Sequence, residues 1–133
     1  MPSSSPDETG IVTKLSYQSV AGTVERLTGM LKEKAITLFA VIDQSAAARQ
    51  VGLELRETTL VIFGSPVAGT PAMAASPLSA LDLPLKVLIW SDEGQTKVSY
   101  YAPAVLASRH HLDADLAHNL AGIDALTEAL VAN

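Results

Sequence analysis

Apolar residues recur along this chain with two different periods, and the periods predict its elements. Val20, Val24, Leu27 and Leu31 stand at i, i+4, i+7 and i+11, the stripe of a helix that Ser19 caps and that runs to about Lys34. Glu25, Arg26, Lys32 and Glu33 take its wet side. Leu116, Leu120, Ile123 and Leu130 form a second stripe in a last helix capped by Asp113, with Leu126 at its edge and Thr127 interrupting it. Strand-sized runs fill the chain between: Ile11 to Ser16, Thr37 to Ile42, Glu57 to Phe63, Pro84 to Trp90 and Thr96 to Ala102. Asp43 caps a short helix from Ser45 to Val51 that Gly52 stops, and Asp92-Glu93-Gly94 turns the fourth strand into the fifth. Thr70 is read as the cap of a short helix with Pro71 at its first position and Pro77 interrupting it, and Pro103 opens another ending near His110.

The order is strand, helix, four strands, helix. Consecutive strands with short or irregular links pair antiparallel, and two long amphipathic helices need one sheet face to bury themselves against. The expected fold is therefore α+β and two-layered, an antiparallel sheet of about five strands with two long helices on one face. Leu60 to Phe63 and Val87 to Trp90 are nevertheless apolar at odd and even positions alike. Helices can cover only one side of such strands, so the other side is expected to meet a ligand, a loop or a second copy of the chain. Two-fold homo-oligomers are the commonest assembly, and a homodimer is the expected partner.

Composition sharpens this picture. The 133 residues suit one domain, residues 11–133, behind a Ser- and Pro-rich tail over residues 1–10 that is expected to be flexible. Charged residues make up 17%, fewer than the roughly 25% of an average soluble domain, which again leaves apolar surface for a partner. A formal charge of −5 gives a phosphate backbone nothing to bind, so nucleic acid is not an expected partner. The absence of cysteine removes disulfides, thiolate metal sites and thiol nucleophiles. The first residues carry neither a basic nor an apolar signal region, which makes the cytoplasm the expected location. No apolar run approaches the ~18 residues of a membrane span, so no membrane association is expected.

Gly52-Leu53-Glu54-Leu55-Arg56, Leu60-Val61-Ile62-Phe63-Gly64-Ser65-Pro66, Gly69-Thr70-Pro71 and Leu81-Asp82-Leu83-Pro84-Leu85-Lys86 follow one another in an ordered series. With Tyr100, Pro103 and the Arg109-His110 pair, the series resembles that of the domain of unknown function 302 family from about Gly10 onward. The resemblance implies an α+β fold similar to the TATA-box-binding-protein-like arrangement, and dimers; it implies no activity. Two positions depart from it. Ser65 stands where the family usually has Asn, and Gln44 where a His often follows the Ile-Asp pair.

The candidate site is the glycine- and proline-punctuated stretch from Gly64 to Pro71, which follows one buried strand and precedes another. Free amides and a hydroxyl at Gly69-Thr70, together with Lys86 at the head of the next strand, would suit a small anionic ligand. A tight turn plus a helix cap accounts for the same residues without a ligand. Ser65 follows a strand as a hydrolase nucleophile would, but Pro66 has no amide to give an oxyanion hole, and a turn-making serine is preferred. His110, His111 and His118 lack a third well-spaced ligand for a metal, and a solvated helix junction is preferred. Haem ligation by one of these imidazoles stays open, and the sequence names no cofactor. Two classes of function follow. The first is a dimeric binding or interaction domain holding a ligand near Gly64, Ser65, Gly69, Thr70, Lys86 and His110; the alternative is an enzyme using His110 or a carboxylate as its acid-base group.

Overall fold

The computed structural model describes residues 5–132. Strands β1 (Ile11–Ser16), β2 (Thr37–Asp43), β3 (Thr58–Gly64), β4 (Leu85–Asp92) and β5 (Gln95–Tyr101) make one sheet in the order β1-β5-β4-β3-β2. Every neighbouring pair is antiparallel. The helices are α1 (Val20–Glu33), α2 (Gln44–Gln50), α3 (Pro66–Ala75), α4 (Pro103–Arg109), α5 (Ala114–Leu120) and α6 (Gly122–Val131). The fold is the α+β arrangement that the two periods predict.

Local chemistry sets the boundaries. The Ser19 hydroxyl accepts the Gly22 amide at 3.0 Å and starts α1. The helix ends in a Schellman turn, Ile36 N to Leu31 O at 2.9 Å and Ala35 N to Lys32 O at 3.2 Å, with Ala35 at φ 55°. Asp43 caps α2 through the Ala46 amide at 2.9 Å. The β4–β5 hairpin turns on Glu93 and Gly94, both at positive φ (51° and 88°), as a type I′ turn needs to follow the strand twist.

Alternation then sorts the sheet into two faces. Val61 and Phe63 of β3, Val87 and Ile89 of β4, and Val98 and Tyr100 of β5 are buried in one core cluster with Leu27 and Leu31 of α1 and Ile123, Leu126 and Leu130 of α6. Helix α1 lies against β2, β3 and β4, while α6 lies against β1 and α1. The other face presents Leu60 and Ile62, Leu88 and Trp90, all half-buried, and the more exposed Ile42, Leu15 and Tyr101. Leu60 pairs with Ile42 on one side and Leu88 on the other, so these three make a continuous apolar row across strands.

Three elements differ from the sequence reading. Helix α3 begins at Pro66, with Ser65 as its N-cap residue, so Thr70 and Pro71 sit inside it and do not start it. Both Ser65-Pro66 and Thr70-Pro71 offer a cap residue followed by proline, and tertiary packing selects the earlier start. The last helix is broken into α5 and α6 at Ala121-Gly122, and Pro77–Leu81 winds a 3-10 turn. Of the stretch expected as a tail, residues 1–4 lie outside the described residues. Asp7 closes a turn onto β1, its carboxylate accepting the Thr9 and Ile11 amides at 2.8 and 3.0 Å, and Gly10 is buried.

Lys14 gave no sequence signal, yet it is only 7% exposed on the helix-covered face. Its Nζ donates to Thr127 Oγ1 at 2.8 Å and the Asp124 carbonyl at 3.1 Å, and pairs with Glu128 at 3.2 Å. Beside it the Tyr100 hydroxyl donates to Asp124 at 2.6 Å. Burial, then that hydrogen bond to a carboxylate, pushes the Tyr100 phenol well above its ordinary value, so it stays a donor at any working pH. The residue that interrupts the last apolar stripe, Thr127, is thus the acceptor that pins α6 to β1.

Candidate functional site

A cavity of about 270 Å³ opens at the end of the sheet where β3 stops. Its floor is Phe63, Leu120, Ile123 and Leu126, all buried. Helix α3 supplies one wall through Gly69 and Met73, at i and i+4 on one helix face. Ile36 and Phe39, delivered by the turn after α1, supply another, and Leu83, Pro84 and Leu85 close the side. Three lining residues have polar side chains, Lys34, Ser65 and Asn119, and all three are exposed. The polarity therefore runs in one direction, wet at the mouth and apolar at the floor.

The break between α5 and α6 belongs to this geometry. Asn119 and Leu120 before it and Gly122 and Ile123 after it all line the cavity. Gly69 matters in a different way from the one its sequence context suggests. Its amide is already bonded to the Ser65 carbonyl at 2.8 Å, so it has no free donor for an anion. A Cβ built on it would meet only the Met73 methyl, at 3.9 Å, an ordinary contact.

The structure divides the six sequence-selected residues. Gly64, Ser65 and Gly69 line the cavity; Thr70 is exposed within α3 and does not. Lys86 and His110 lie outside it and converge on Asp82, which the sequence offered only as a residue preceding a strand. His110 Nε2 stands 2.6 Å from Asp82 Oδ2, Arg109 donates to the same oxygen at 3.1 Å, and Lys86 Nζ lies 3.5 Å from the Asp82 carbonyl. Arg109 also stacks over Tyr101, 5.4 Å from the ring centroid. His111 serves as the left-handed residue that ends α4 (φ 53°), and His118 is exposed. Among the described residues no group of three His, Asp or Glu side chains is placed to hold a metal. The cavity floor was invisible in the sequence because its residues come from three separate elements, β3, α5 and α6, and the one local signal of the lining was the helical spacing of Gly69 and Met73.

A second hollow, about 320 Å³, lies between Leu15–Ser19 and Gly94–Thr96. It is lined largely by exposed turn residues, and no buried apolar floor sits beneath it.

Burial pushes the Asp82 carboxyl up, but hydrogen bonds from His110 and Arg109 and their charges outweigh it and hold the group below its ordinary value of 3.8. A carboxylate with a lowered folded-state value stabilises the fold above pH 3.8, and that stabilisation is lost as the pH falls through and below it. Asp82→Asn is therefore expected to lower stability at pH 7 by about 1 kcal/mol, read as a urea midpoint, with the gap to wild type closing in acid. An undiminished gap well below pH 3.8 would contradict this role.

Comparison with known proteins fits the geometry. A crystal structure of an uncharacterized conserved DUF302 protein from Bacillus stearothermophilus superposes with a TM-score of 0.77 over 92% of this chain and 95% of that chain, at 20% identity, which is a likeness of fold. The fluoride-specific ion channel FluC 1 of Brucella suis is 39% identical over 112 residues, 84% of this chain and 44% of that protein. FluC 1 of Brucella abortus and FluC 2 of Brucella melitensis give the same identity over 42% of their lengths. This chain thus spans less than half the length of these curated relatives. The family model described as domain of unknown function DUF302 matches residues 11–130 of the 133, and the chain belongs to that family.

Proposed function

We propose that this domain is a homodimeric binding module whose ligand is a small apolar molecule seated in the cavity between α3, α5, α6 and the end of β3. The observation that carries the reading is the lining: a floor of buried Phe63, Leu120, Ile123 and Leu126 with polar side chains only at the rim. Ligand sites are mostly apolar concavities with a few polar groups that fix orientation. The sequence offered a small anion at Gly69-Thr70 beside a plain turn and helix cap, but those residues lie within α3, and an ion alone gains nothing from an apolar floor.

The enzyme alternative requires an acid-base pair facing a substrate. His110 and Asp82 are within hydrogen-bond reach, but neither lines the cavity, and Asp82 is already engaged by Arg109. That arrangement favours a structural clasp between α4 and the segment before β4 over a catalytic dyad. The Brucella relatives carry the name of ion channels. A span needs a long apolar helix or a closed barrel. Here no described helix is long and apolar enough to cross a membrane, and the sheet has two open edges. The match covers less than half of those proteins, and the channel named there is not carried over to this chain.

The dimer rests on the face opposite α1 and α6, where the Ile42-Leu60-Leu88 row is flanked by Ile62 and Trp90. In a two-fold dimer the same patch meets itself, and this row gives each copy an apolar surface to bury against the other. Leu88→Lys is expected to turn a dimer into a 13.9 kDa monomer in sedimentation velocity at micromolar concentration, and a wild-type monomer would remove the dimer from this reading.

Filling the cavity tests the ligand. Gly69→Leu puts a side chain beside Met73 while replacing a helix-interior glycine, which favours folding by up to ~1 kcal/mol. The variant is expected to keep or raise the melting temperature, and to bind 1-decanol or naphthalene roughly tenfold more weakly or worse. Failure of every such probe to raise the melting temperature of the wild type would refute the cavity as a ligand site.

A further inference from the structure

We propose that the ligand of this cavity is a single-chain amphiphile with an anionic head group, its hydrocarbon tail among Phe63, Met73, Ile123 and Leu126 and its head group at Lys34. The inference rests on the reading of the cavity as a ligand site and adds the chemical class and orientation of what fills it.

Size limits the tail. At about 270 Å³ the cavity is nearly twice the ~150 Å³ apolar cavity that holds one benzene, so roughly ten to twelve non-hydrogen atoms fit. Polarity limits where a head group can go. A polar atom pushed to the floor would meet only Phe63, Leu120, Ile123 and Leu126 and would leave its water partners unreplaced. At the mouth it would meet Lys34, Ser65 and Asn119, all exposed and able to share it with solvent. One end wet and one end dry is the description of an amphiphile.

Charge decides the sign of the head. Lys34 is the one ionisable side chain in the lining; no Asp or Glu lines the cavity, and among the described residues Lys34 makes no ion pair. The start of α3 adds little to this charge: Pro66 has no N–H, and the Ala68 and Gly69 amides are bonded to the Ser65 carbonyl at 3.0 and 2.8 Å. The chain as a whole carries −5, which would repel an anion at long range. At 0.1 M salt the long-range part of that repulsion is screened within about 10 Å, and the charge that the lining itself supplies is Lys34. The backbone holds it there: Lys34 is the C-cap of α1, and the Schellman turn through Ala35 carries the chain from Lys34 to Ile36 and Phe39, both on the cavity wall.

A free medium-chain carboxylic acid and one tail of an anionic membrane lipid share this chemistry. The test titrates the full chain with decanoate and with 1-decanol by calorimetry, for wild type, Lys34→Met and Lys34→Glu, and adds phosphatidylglycerol vesicles as a third arm. An exposed ion pair contributes modestly, so Lys34→Met is expected to weaken decanoate roughly two- to fivefold and Lys34→Glu more, with 1-decanol unchanged in both. Circular dichroism melts of the two variants report whether the fold is intact. Equal binding of decanoate by all three proteins would overturn the head-group assignment while leaving the cavity as a ligand site. Binding of neither compound by wild type would overturn both. Vesicle binding that decanoate competes away supports the proposal with membrane lipid as the source; decanoate binding without vesicle binding supports it with a free acid.

Discussion

Two helices have to cover a five-stranded sheet, and most features of this molecule follow from how far they reach. Five strands at about 4.8 Å spacing make a sheet some 19 Å wide, which two helices of about 10 Å can cover once, on one face. The ten residues of α6 extend only about 15 Å, whereas the eight of β4 extend about 27 Å. One end of the sheet is therefore left without a long helix above it. Helices α3 and α5, which pack on each other, roof that end, and the cavity is the space they leave over Phe63. The bare second face, with Leu60 and Leu88 half-buried, has the same origin.

A few ionisable groups hold helices in place. Lys14 fastens α6 to β1 through Thr127 and Glu128, and Tyr100 reaches Asp124 on the same helix. Asp82 ties α4 to the segment before β4 through His110 and Arg109. Of these charged groups only Lys14 is buried, and a buried ammonium that lost its partners would cost several kcal/mol, so its contacts fix where α6 lies. None of these clasp residues lines the cavity, where Lys34 at the rim is the one ionisable side chain among the described residues.

What the sequence could reveal was whatever is written locally. The stripe from Val20 to Leu31 and the Ser19 cap placed α1 to within a residue, because helix period and cap lie in one continuous segment. Val61 against Leu60 and Val87 against Leu88 announced two apolar faces. The start of α3 was missed because Ser65-Pro66 and Thr70-Pro71 carry the same local signal, and Pro71 sits inside the helix next to buried Ala72 although it forgoes a hydrogen bond there. Lys14 was missed because its partners lie more than a hundred residues away. Of the residues that line the cavity, Gly64, Ser65 and Gly69 had been singled out for their loop-like composition, and what they line is apolar. Its floor, assembled from β3, α5 and α6, has no signature in any one segment.

The central claim is that ligand enters the cavity and does not simply coat the bare sheet face. Methyl-resolved NMR of the full chain during a decanoate titration tests it most directly. The account predicts saturable shifts of the Met73, Ile123 and Leu126 methyls with those of Leu60 and Leu88 unmoved. Shifts confined to Leu60, Ile62 and Leu88, or no shift at Met73 at saturating ligand, would contradict it.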